Sequence, residues 1–134
     1  MAAAFLTIPC TTSAQLPVLV KDIYPNGGSD PVDLADVNDM LFFQANDGMH
    51  GDELWISDGT MSGTTMVLDI NINGGCDPAE ITPSGPGAFF KANDGVHGRE
   101  LWFSDGTASG TYLVLDINPT GSAEPQYLVD LNGA

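Results

Sequence analysis

Hydrophobic residues in this chain come in short bursts between polar turns, never at a helical spacing. The first bursts are Leu19-Val20-Lys21-Asp22-Ile23, Pro31 to Val37, Met40-Leu41-Phe42-Phe43-Gln44 and Glu53-Leu54-Trp55-Ile56. Val67-Leu68-Asp69-Ile70, Pro78 to Thr82, Ala88-Phe89-Phe90-Lys91 and Glu100-Leu101-Trp102-Phe103 follow in the same order. Val114-Leu115-Asp116-Ile117 and Pro125 to Leu131 begin the series again. Each burst is β-branched or aromatic and bounded by Gly, Asn, Asp or Pro, which predicts strands between turns. No window keeps apolar residues on one helical face, so no helix is predicted.

The bursts recur at a fixed distance. The run Asn93 to Thr107 repeats Asn46 to Thr60, and Asp22, Asp69 and Asp116 stand 47 positions apart. Four short strands in such a repeat predict an all-β fold of tandem four-stranded antiparallel blades, of β-propeller type. The repeats cover about 17–63 and 64–110, with a partial third at 111–134; together residues 16–134 are the repeat domain, and residues 1–15 an N-terminal arm. Propellers close with about four to eight blades. Two repeats and part of a third cannot close one alone, so the chain is expected to assemble or to fold as an open β-array.

The motif Glu-Leu-Trp-x-Ser-Asp-Gly-Thr, at Glu53 and again at Glu100, with the Leu-Val-x-Asp-Ile type of strand after it, resembles the ELWxxDGT repeat family. Those repeats occur in tandem in bacterial secreted or surface proteins. The resemblance covers roughly residues 16–134 and implies propeller-like β architecture and an extracellular or cell-surface location. It implies no common reaction.

Charge narrows the partners. The chain has 18 acidic residues against 3 basic, a net charge of −15. Nucleic acid and anionic membranes need Lys/Arg patches, so neither is expected as a partner. No apolar run is long enough to span a bilayer as a helix. Asp sits mostly beside Gly, Asn or Pro, the company of turns and of hard-cation loops.

One loop fits the cation pattern closely. Asp69, Asn71, Asn73 and Gly74, then Asp77 and Glu80, satisfy the spacing of a calcium loop: oxygens at alternate positions, a glycine for the sharp turn, a distal carboxylate to close the shell. Asp22 and Asn26 keep part of it in the first repeat, while Tyr24 replaces a ligand. The other reading is a strand-connecting turn capped by Asn and Asp side chains, which Pro78 and the lack of flanking helices favour. Calcium is the cofactor expected.

Asp47, His50, Glu53 and Asp58, with Asp94, His97, Glu100 and Asp105, could be taken for an acid/base or zinc cluster. Their appearance once per repeat argues for a blade-building role, since catalysis needs a single site. No Ser/His/Asp triad, phosphate loop or dinucleotide fingerprint is present, and no enzyme is expected. Trp55 and Trp102, with Phe42, Phe43, Phe89 and Phe90, are expected in the core; carbohydrate stacking is the other use of such residues.

Cys76 replaces the Ser29 and Ala123 of the other repeats, and Cys10 lies in the arm. Two such cysteines in a secreted-looking chain predict a Cys10–Cys76 disulfide, within or between subunits; two buried free thiols are the alternative. Met1 to Gln15 has the apolar run of a secretory signal's tail without its basic start, so a retained, docked arm is expected. Ala2, Ala3, Ala4, Phe5, Leu6 and Ile8 are strand-capable and, read after Ala134, continue the pattern where the third repeat stops. The expected function is a structural, self-assembling extracellular protein. Its subunits join head to tail, the arm of one adding a strand to the open repeat of the next. A carbohydrate- or protein-binding propeller-type module closing as an oligomer is the alternative. In a third arrangement the arm completes its own subunit as a small monomeric fold.

Overall fold

The structure, a computed structural model, describes residues 16–130. Cys10 and the arm residues Ala2 to Ile8 lie outside the described residues. Eight strands are present: β1 Val32–Val37, β2 Met40–Asn46, β3 Asp52–Ser57, β4 Thr65–Leu68, β5 Ala79–Ser84, β6 Gly87–Asn93, β7 Arg99–Ser104 and β8 Tyr112–Leu115. They form two open antiparallel sheets of four, β1-β2-β3-β4 and β5-β6-β7-β8, each a meander in chain order. Among the described residues there is no helix. Every strand of the second sheet begins 47 positions after its counterpart, and both first strands carry a bulge at the same place, between Val32 and Ala35 and between Ala79 and Thr82.

Strand alternation gives each sheet two unlike faces. On the inner face of the first sheet, Phe42 pairs across from Ile56 and Gln44 from Leu54. This face packs on the side of the second sheet that carries Ala88, Phe90, Ala92 and Trp102, where Phe90 pairs with Trp102. Phe42, Leu54 and Phe90 are fully buried there, and Val67, Cys76 and Val37 complete the same core. The opposite face of the first sheet pairs Phe43 with Trp55 and Ala45 with Glu53. Phe43, Ala45 and Trp55 form a second, smaller core under Ile23, Leu41 and Met66.

Two expected strands are not strands. Leu19–Ile23 and the described part of Pro125–Leu131 have no ladder partner, and a strand exists only through its hydrogen-bonded neighbour. Leu19–Ile23 instead lies on the outer face of the first sheet: Ile23 joins the Phe43–Trp55 cluster and Lys21 donates to the Thr64 carbonyl at 2.6 Å. The frame also shifts. The strand that opens each sequence repeat closes the preceding sheet, as β4 and β8 do.

The turns explain the motif letters. Asp58 Oδ1 accepts from the Thr60 N–H at 2.8 Å and from its hydroxyl at 2.7 Å, and Thr60 Oγ1 accepts from the Gly63 N–H at 2.9 Å. The hydroxyls of Ser57 and Thr64 then meet in the interior at 2.7 Å. Asp105, Thr107, Gly110, Ser104 and Thr111 repeat every one of these contacts. Gly51 holds a positive φ of 80°, and a Cβ there would come 2.4 Å from the Gly75 backbone nitrogen. The β2–β3 turn and the loop after β4 can touch only because both residues are glycine.

Candidate functional site

The central polar feature is a fully buried glutamate in each sheet. Glu53 on β3 and Glu100 on β7 have no exposed surface. Glu53 accepts the Cys76 N–H at 2.9 Å through Oε1 and the Ile70 N–H at 3.2 Å through Oε2. Glu100 takes the Ala123 and Ile117 N–H groups at 2.9 and 3.0 Å. Each carboxylate thus grips both ends of the loop that leaves its sheet. Burial pushes the Glu53 carboxyl up from its ordinary value of 4.5, against donors at Cys76 and Ile70 that favour the ionised form. The Cys76 thiol beside it is pushed up strongly, first by burial and then by the Glu53 charge. It is fully buried and bonded to no cysteine among the described residues.

A second polar feature links one sheet to the next. Glu80 N–H donates to Asp33 Oδ2 at 3.1 Å, and Tyr127 N–H donates to Glu80 Oε2 at 3.2 Å, each across 47 positions. Asp33, Glu80 and Tyr127 all hold positive φ, at 52°, 58° and 56°. So do Asp30, Asp77 and Glu124, at 43°, 47° and 50°. Such angles are uncommon outside glycine. Glu124 and Tyr127 thus repeat the backbone angles of Asp77 and Glu80 at 47 positions' distance. Ser84 adds a bond to Asp130 Oδ1 at 3.0 Å.

This third piece covers little of the second sheet. Val114 is 41% exposed where its counterpart Val67 is 8% exposed, and Leu115 is 62% exposed. Phe89 and Leu101, the counterparts of the fully buried Phe42 and Leu54, are only half-buried. With Thr82, Ser84, Leu128 and Val129 they line an open apolar cleft of about 220 Å³. At the other end, Leu19, Val20, Ile23, Leu34, Leu41 and Phe43 line a similar cleft of about 250 Å³.

The expected calcium ligands are not drawn to one point by their hydrogen bonds. Asn71 folds over its own loop, accepting from the Asn73 N–H and donating to the Gly75 carbonyl. The Asp77 carboxylate pairs with Arg99 at 2.9 Å, and the Glu80 carboxylate takes the Tyr127 N–H. Asp69 differs: its Oδ1 is buried without a partner, as is Asp116 Oδ1 in the next unit. The Trp55 and Trp102 indole N–H groups are buried without partners too. Among the described residues no group of three or more His, Cys, Asp and Glu is placed to hold a metal ion. In the first repeat Asp22 and Asn26 lie on either side of Tyr24, whose ring packs against Gly48.

The histidines sit in the β2–β3 and β6–β7 turns, each bonded to its own turn aspartate. His50 Nδ1 lies 2.7 Å from Asp47 Oδ2 and His97 Nδ1 2.6 Å from Asp94 Oδ2. Asp47 Oδ1 also accepts the Met49 and His50 N–H groups. This geometry braces a turn. Sequence reasoning missed the inward grip of Glu53 and Glu100; the signal was a carboxylate in a strand at the same place in both repeats.

The chain finds no match among protein-family models, curated proteins or solved structures. Among the described residues no helix is long and apolar enough to cross a membrane.

The turn aspartates raise both histidines above the ordinary 6.5, through the Asp47 and Asp94 hydrogen bonds first. This contribution to stability is complete below 6.5 and is lost as pH rises through the raised values. NMR titration should find both imidazoles titrating above 6.5, with Asp47→Asn returning His50 towards it. A His50 titration unmoved by that substitution would contradict the brace.

Proposed function

We propose that this is a structural, self-associating protein of propeller-type repeats, exported to the cell exterior and joined head to tail by its N-terminal segment. One observation carries the reading. Pro125–Asp130 sits on the second sheet with the hydrogen bond and backbone angles that β5 shows against the first. A backbone segment so placed, with no ladder partner, is a template for another chain. The apolar residues Ala2 to Ile8 of a neighbouring copy are the proposed donor, by β-strand addition. A contact between unlike ends propagates unless its rotation closes a ring. The two repeated sheets and the Glu-Leu-Trp motif are compatible with the propeller-like family, and the location follows from that resemblance. In this reading Cys10 of the donor segment is a candidate partner for Cys76, once that thiol is uncovered.

Truncation tests this directly. Negative-stain microscopy of the full chain should show filaments or rings, and the chain lacking residues 1–9 should give neither. Polymers persisting after truncation would reject strand addition.

Calcium is proposed as a stabiliser, centred on Asp69. The orphaned buried oxygen there, its repetition at Asp116 and the net charge of −15 support a hard cation with Asn71 and Asn73 as further oxygen donors. Asp77 and Glu80 would have to leave Arg99 and the Tyr127 N–H to take part. A cation bound only to the folded state raises its stability. Adding a chelator should therefore lower the melting temperature, and Asp69→Asn should abolish that response. Equal melting with and without chelator would remove calcium from the account.

A further inference from the structure

We propose that a second copy of the chain covers the outer face of β5–β8, and that the two copies build one shared layer between them. The inference rests on the self-association reading and specifies its contact. In this layer Pro125–Asp130 of one copy supplies the first-strand edge, and Leu19–Ile23 of the other supplies the fourth-strand edge.

The internal interface sets the pattern. Within the chain, the Phe42–Leu54 face of the first sheet packs on the Phe90–Trp102 face of the second. The second sheet repeats the first kind of face on its outside, with Phe89, Leu101, Val114 and Leu115 at the same positions. The first sheet repeats the second kind on its outside, with Phe43, Ala45 and Trp55. The two ends of the molecule are therefore the two halves of the contact already made in its middle. A layer that fits one end by its first side fits the other by its second.

Each end also carries a piece of that layer. Pro125–Asp130 stands to the second sheet as β5 stands to the first, through the Asp33–Glu80–Tyr127 series. Leu19–Ile23 stands to the first sheet as β4 and Ile70 stand to the second: Ile23 packs beside Trp55, and its counterpart Ile70 packs in the cluster of Trp102. The two pieces belong to opposite edges of a four-strand layer, so they do not compete for space. A second copy brings a docked fourth-strand piece on a face of the required kind.

Electrostatics opposes this contact. Two copies of net charge −15 repel each other. The apolar faces must overcome that repulsion, and salt screens it, with a Debye length of about 8 Å at physiological strength and about 3 Å at 1 M. Association should strengthen as salt rises, the opposite of a contact driven by ion pairs.

The test uses charged variants on exposed positions, read by light scattering at raised salt. Val114→Lys with Leu115→Lys marks one end and Leu34→Lys, 60% exposed, marks the other. Met49→Lys, 85% exposed on the β2–β3 turn, is the matched control. Lysine lowers the net charge, so lost association cannot be charge repulsion between copies. Each end variant should melt like the wild-type monomer when dilute and fail to polymerise, while Met49→Lys assembles normally. Mixed together, the two end variants should form a capped pair and stop, since one sound end of each remains. End variants that polymerise like wild type would overturn the shared layer and leave strand addition standing. Loss at one end with Leu34→Lys unaffected would show a like-with-like contact and overturn it as well. A wild-type chain that stays monomeric at every concentration would remove the self-association reading itself.

Discussion

The fold depends on a carboxylate held in the dark. Glu53 and Glu100 each accept two backbone N–H groups from the loop that carries the chain to the next layer. A buried N–H without a partner costs about 1–3 kcal/mol, and a buried charge without one costs more. The loop is therefore fixed at both ends, at Ile70 and Cys76 in the first unit. β5 begins three residues after Cys76, so its position on the first sheet follows from that grip. The Asp33–Glu80–Tyr127 series then fixes its register. Repetition of one local solution, rather than any long-range feature, builds the stack.

Much of this was legible in the letters. Alternation and turn residues located β1 to β8, because a strand with one apolar side and Gly/Asp/Asn at its ends leaves a clear period. Leu19–Ile23 and Pro125–Leu131 have the same letters as true strands and failed as strands. Pairing is a property of the neighbour, which a run of residues does not record. The frame was misplaced for a related reason: a repeat has a period in sequence, but only hydrogen bonding decides where one sheet ends.

The site was legible in its residues and less so in their contacts. Asp69 to Glu80 matches a calcium loop by spacing, and spacing alone does not record which of its carboxylates other groups of the fold engage. Here the chain leaves β4, turns at Gly74 and enters β5, and Arg99 and Tyr127 reach Asp77 and Glu80. His50 and Glu53 recur together in both repeats, which argues for a blade-building role. The strand separates their tasks, sending the glutamate inward to the loop and the histidine to its own turn. The histidine, glutamate and aspartate of each unit bond to their own turn or loop in the same way in both.

What remains outward is the apolar surface, and its distribution is uneven. The positions that are buried on the first sheet stand half-open on the second, beside the unpaired segment that ends at Asp130. A protein of net charge −15 keeps such a surface in water only at a cost. The account places a second copy there. Hydrogen–deuterium exchange at rising protein concentration tests this most directly. The account predicts that the amides of β8, Tyr112–Leu115, and of Leu128 to Asp130 become slower to exchange as concentration rises, while those of the exposed Asp58–Gly63 turn do not change. Exchange of β8 that stays the same from dilute to concentrated protein would contradict it.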